Sequence, residues 1–101
     1  MSILFSNMRD ERNILEWVIY HLLLGFDKIY IFDHLSKVPI ADTLKAYNLP
    51  QVHVQRIEDE KTNKAGFMKM ALEKAQNYEW LLYKACLVFL FIFYSLYMDL
   101  W

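Results

Sequence analysis

Asp33 closes one apolar run of this chain, and Ser6, Asn7 and Arg9 follow another. A carboxylate or a guanidinium at the end of an apolar segment can brace the loop that follows, or it can meet a ligand. Glu11 lies a little further on, where an acid also suits the positive end of a helix dipole. His21, His34 and His53 show no metal-ligand spacing, and Cys86 has no Cys or His at the short separation that a zinc pair requires. No serine-centred nucleophile motif, glycine-rich phosphate loop or aromatic–basic interleaving occurs. The residue types therefore suggest no catalytic group and no metal site.

The elements that must position these residues follow from periodicity. The segment 9–33 reads as a complete helix-then-strand unit. Asp10 and Asn13 are short polar side chains suited to a helix start. Ile14, Leu15, Val18 and Leu22 recur at helical spacing, with Trp17, His21 and Leu24 on a neighbouring stripe, and His21 is expected to pack there. Gly25 should end the helix at positive φ, with Phe26 packing back on the last turn. Residues 28–33 are apolar throughout, as in a strand covered on both faces. Before them, Ile3, Leu4 and Phe5 form a first strand ending in Ser6 and Asn7. After them come a short helix over 40–47 behind Pro39, a strand over 52–57 and a helix over 62–77. That last helix is expected to turn Ala65, Met68, Ala71, Leu72 and Ala75 inward, and Glu79 to Tyr83 should form a fourth strand. Alternation of this kind gives right-handed crossovers and a parallel sheet. In the order 3-2-1-4 a crevice opens at the strand ends between strands one and four. The expected fold class is α/β: about four mainly parallel strands alternating with three helices, plus an apolar C-terminal tail.

Bulk composition narrows the function classes. The chain has 101 residues, of which 56% are hydrophobic, enough for one small core. A net charge of −1 leaves no basic field to hold nucleic acid. One cysteine excludes an intrachain disulfide, and no basic segment followed by a long apolar run opens the chain, so a cytoplasmic location is expected.

The string Arg9, Glu11, Asn13, Glu16, Trp17, Tyr20, His21, Leu24, Gly25, Phe26, Asp27, Tyr30 and Asp33 resembles the family 2-like glycosyltransferases of the GT-A fold. It is also similar to the related family 92, long classed as a domain of unknown function. The resemblance covers 1–83 and implies the N-terminal, nucleotide-sugar-binding half of a GT-A-like, Rossmann-like domain. It implies that Asp33 lies near a nucleotide's base or ribose and that Ser6, Asn7 and Arg9 reach the nucleotide from the first strand's end. The family commonly continues Asp-Asn-x-Ser-x-Asp, whereas this chain reads Asp33-His34-Leu35-Ser36-Lys37. Family members use a divalent cation, Mn²⁺ or Mg²⁺, held by an Asp-x-Asp motif beyond a strand like 80–83. Ala85 and Leu87 occupy those places, and neither binds a hard cation. The implied protein is an inactive glycosyltransferase fragment without a cofactor, with at most weak, metal-independent affinity for a nucleoside diphosphate or nucleotide-sugar. A non-catalytic interaction module or a small membrane-tethered protein is the alternative.

The text changes at 84–101, where an apolar tail departs from the family. A change of reading frame near Lys84 is the first expectation for it, a buried segment the second. A membrane anchor over 85–98 ranks third, because a spanning helix needs about 20 apolar residues. An apolar stretch beside a sheet edge favours aggregation. Deleting everything after Tyr83 is therefore expected to raise the soluble yield on expression; an unchanged yield, with the full chain a monodisperse monomer, would contradict this.

Overall fold

The computed structural model describes residues 2–75, 80–84 and 91–95, with side chains over 2–75. Three parallel strands alternate with three helices: β1 (Ser2–Met8), α1 (Ile14–Leu23), β2 (Lys28–His34), α2 (Ile40–Leu44), β3 (Val52–Ile57) and α3 (Lys64–Lys74). β2 lies between β1 and β3 and pairs in parallel with both. The backbone of Trp80–Lys84 (β4) runs parallel to β1 on its other side, and Phe91–Ser95 (β5) is antiparallel to β4, so the order is β3-β2-β1-β4-β5. The expected helix end at 75–77 and the positions Ala85, Cys86 and Leu87 fall wholly or partly outside the described residues, as does most of 84–101. Among the described residues no helix is long and apolar enough to cross a membrane.

Side-chain alternation along the strands divides the core in two. Leu4, Met8, Ile29 and Ile31 point to one face of the sheet, where Ile14 and Val18 of α1 and Ile40 and Leu44 of α2 cover them. Ile3, Phe5 and Phe32 point to the other, under Phe67 and Ala71 of α3 and the adjoining Ala75. The two crossovers that step from β1 to β2 to β3 put α1 and α2 on the same side. The connection through α3 turns back across the sheet, and right-handedness then places α3 opposite.

All three helices differ from expectation in extent or in the face they bury. α1 begins at Ile14: Asp10 adopts φ 54°, a left-handed conformation that no helix can run through, and Asn13, at φ −108° and ψ 39°, is not yet helical. Asn13 takes the N-cap position with no side-chain cap bond. In α3 the buried stripe is Phe67, Ala71 and Ala75, while Ala65 and Leu72 are exposed. The large ring of Phe67 packs tilted against Phe32 at 5.7 Å and draws its own stripe inward, which rotates Leu72 out. Asn63 caps α3, its side chain accepting from the Gly66 N–H at 2.9 Å. α2 is a single short stretch ending at Leu44 rather than reaching residue 47.

The junction of α1 and β2 matches its sequence pattern. Leu24 donates to the Tyr20 carbonyl, Gly25 to that of Leu22, and Gly25 then turns at φ +103°. Phe26 packs back toward His21, ring centroids 6.3 Å apart. A Cβ added at Gly25 would meet nothing within 4 Å, so only the backbone conformation opposes a side chain there. Gly25→Ala is expected to cost about 1–2 kcal/mol, the penalty of a left-handed L-residue. A urea midpoint identical to that of the parent would refute this.

Candidate functional site

The carboxyl ends of β1, β2 and β3 and the loops that leave them carry most of the polar side chains that the sequence singled out. Strand alternation sends neighbouring residues of β2 to opposite faces. Asp33 goes to the side of α1 and α2, and His34 to the side of α3.

Asp33 is 1% exposed, and its carboxylate is fully engaged by protein groups. Oδ1 accepts from the Ser36 N–H at 3.1 Å, and Oδ2 accepts from the Ile40 N–H at 2.9 Å. Arg56, the register partner of Asp33 on β3, donates from Nη1 to Oδ2 at 3.1 Å and to the Ser36 carbonyl at 2.8 Å. The Ser36 hydroxyl also donates to Asp33 while accepting from the Asp10 N–H at 3.0 Å. Asp10 Oδ1 in turn accepts from the Lys37 N–H at 2.8 Å. One carboxylate thus shapes the loop after β2, starts α2, and ties both to the loop after β1. This geometry favours the loop-closing role of Asp33 over direct contact with a nucleotide.

Burial alone would push the Asp33 carboxyl up, but the bonds from the Ser36 hydroxyl, the Ile40 and Ser36 N–H groups and Arg56 outweigh it and hold the group below its ordinary 3.8.

Of the other residues implied by the resemblance, Ser6 is buried in the sheet and Asn7 is half-buried, while Arg9 is exposed. Arg9 reaches across to the end of β2. Its Nε–H donates to the His34 carbonyl at 2.8 Å, and its Nη2 lies 3.4 Å from His34 Nδ1. An arginine can only donate, so Nδ1 is the acceptor and the proton sits on Nε2. That Nε2–H donates to the Asp59 carbonyl at 2.8 Å. Phe67 meets the imidazole edge-on at 5.2 Å. Glu11 turns back to accept from the Asn13 N–H at 3.2 Å, as a helix-start acid does. His21 is packed as expected: it is 3% exposed, stacks on Trp17 at 4.2 Å and donates from Nδ1 to the Trp17 carbonyl at 2.7 Å.

An open cleft of about 440 Å³ lies beside this network, lined by Asp10, Glu11, Arg12, Ile14, Ser36, Lys37, Val38, Ile40 and Thr43. Among the described residues, no group of three or more His, Cys, Asp and Glu is placed to hold a metal ion. Sequence reasoning missed Arg56, Ser36 and His34. The spacing Asp33-x-x-Ser36 carried a signal for the second, because an Asp side chain readily accepts from backbone a few residues on.

Fold and rim together define an open, largely parallel α/β protein with a braced polar edge at its strand ends. No protein-family model, curated protein or solved structure matches the chain.

Asp33→Asn is expected to cost about 2 kcal/mol, because the amide leaves a buried donor and the Arg56 guanidinium poorly matched. A folded-state pKa below the unfolded one adds stability above the unfolded value, and that stability is lost as pH falls through the folded value. The variant should therefore lose less stability on acidification than the parent does. Urea midpoints at neutral and acid pH would show it; parallel losses in both proteins would contradict the assignment.

Proposed function

We propose that this chain is the nucleotide-sugar-binding half of a glycosyltransferase-like domain of the GT-A type, acting in the cytoplasm as a weak binder of nucleoside diphosphates without sugar transfer. The observation that carries the reading is the rim itself. Three parallel strands end side by side, and open α/β sheets take their ligands outside the carboxyl ends of such strands. The loops there are braced from within by Asp33, which leaves Asn7 and the exposed Arg9 as the ligand-facing groups of the implied set. Asp33 serves this site by shaping it, and Ser6 by anchoring the end of β1 in the sheet.

A cation bridging the diphosphate would need two hard oxygen donors just beyond 80–84. Ala85 and Leu87 stand there in sequence and carry no side-chain oxygen. The residues present do not fit the cation, so the reading is one of binding, made through the nucleotide and its phosphates directly.

Calorimetry with uridine diphosphate, with and without Mn²⁺, should give the same weak affinity. A donor-hydrolysis assay should show no turnover above a heat-killed control. Turnover that a chelator abolishes would overturn the reading.

A further inference from the structure

The two arginines at the strand ends are used differently. Arg56 is spent on the interior: its Nη1 serves Asp33 and the Ser36 carbonyl, and its Nε lies 4.0 Å from Glu58. Arg9 is exposed, and among the described residues no carboxylate pairs with it. A guanidinium has a side-on edge, made of Nε–H and one Nη2–H, and an end-on edge, made of the other Nη2–H and one Nη1–H. His34 takes the side-on edge through its carbonyl and Nδ1. The end-on pair of parallel donors has no partner among the described residues.

His34 is itself held from three directions. Its backbone belongs to β2, its ring meets Phe67 of α3 edge-on, and its Nε2–H is bound to the Asp59 carbonyl in the loop after β3. The tautomer that lets Nδ1 accept from Arg9 is the one that this carbonyl selects. A flexible side chain is thereby oriented before any ligand arrives, and that ordering cost is removed from binding.

We infer that Arg9, oriented by His34, is an oxyanion-binding site whose end-on N–H pair takes two oxygens of a phosphate group. His34 is a positioning residue and need not touch the ligand. The inference rests on the strand ends being the ligand-facing edge, as the proposed function has it, and assigns the diphosphate contact within that site. A fork of two parallel donors matches two oxygens of one phosphate, which a lysine ammonium, a point charge, cannot do.

The test is calorimetry on the full chain with three probes: inorganic pyrophosphate, uridine diphosphate and uridine. Pyrophosphate should bind the parent, and Arg9→Lys should bind it about tenfold more weakly, the loss of roughly 1.4 kcal/mol expected for one charge-assisted fork. His34→Leu, which removes the ring acceptor, should weaken pyrophosphate several-fold, whereas His34→Asn, which keeps an acceptor close to Nδ1, should restore most of it. Ring ¹⁵N shifts of His34 should report Nδ1 unprotonated and Nε2 protonated. Equal affinity of the parent and Arg9→Lys, equal affinity of the two His34 variants, or the opposite tautomer would overturn the inference. If His34→Leu does not fold, the exposed Arg9→Lys decides the question with the tautomer. Uridine binding without pyrophosphate binding sinks the inference and spares the nucleotide reading. Pyrophosphate binding through Arg9, with uridine diphosphate no tighter and uridine silent, sinks the nucleotide reading and spares the Arg9 site.

Discussion

The buried carboxylate of Asp33 is the constraint from which the strand-end region takes its shape. A charge that is 1% exposed is tolerable only when its lone pairs are filled, and here two backbone N–H groups, a hydroxyl and a guanidinium fill them. Those donors come from three different pieces of the rim. Ser36 is in the loop after β2, Ile40 is the first residue of α2, and Arg56 lies on β3. Satisfying one carboxylate therefore fixes three pieces of chain relative to one another. Through the Ser36 hydroxyl it also fixes the loop after β1, where Asp10 is held at positive φ. A left-handed aspartate costs conformational energy, and its bonds to Ser36 and Lys37 over-determine it.

The next residue, His34, shows what strand alternation does with adjacent polar side chains. Asp33 turns inward under α1 and α2 and becomes architecture. His34 turns toward α3 and the outer rim, and orients Arg9. Both use backbone from a neighbouring loop, Asp33 from that after β2 and His34 from that after β3. The polar edge of this sheet is therefore one connected frame with an inner and an outer side, and Arg9 lies on the outer one. The imidazole of His34 bridges Arg9 and Asp59 at once, through nitrogens on opposite sides of its ring.

Local pattern alone located the first three strands and the three helices. The apolar run at 28–33, the imperfect alternation at 52–57, the glycine at position 25 and a polar cap at 62 or 63 act over a few residues, and their geometry is the same wherever the segment lies. Apolar periodicity likewise sufficed to bury Ile14, Val18 and His21 of α1. For α3 it held only in part: Ala71 and Ala75 are buried and Met68 packs against the core, but Ala65 and Leu72 face out and Phe67 takes the inner stripe. Which stripe turns inward depended on the aromatic surface of Phe32 opposite, a contact between residues far apart in the chain.

The site divides along the same line. That Asp33, Ser6, Asn7 and Arg9 would gather at strand ends followed from their place after apolar runs, because a parallel sheet brings such ends together. Their separate duties did not follow. The partner of Asp33 is Arg56 because β3 pairs with β2 in the register that sets these two residues side by side, and no local signal carries a register. The choice between an engaged and an exposed arginine was likewise made by position across the sheet: Arg56 stands beside a buried acid, and the exposed Arg9 beside a histidine that accepts one of its edges.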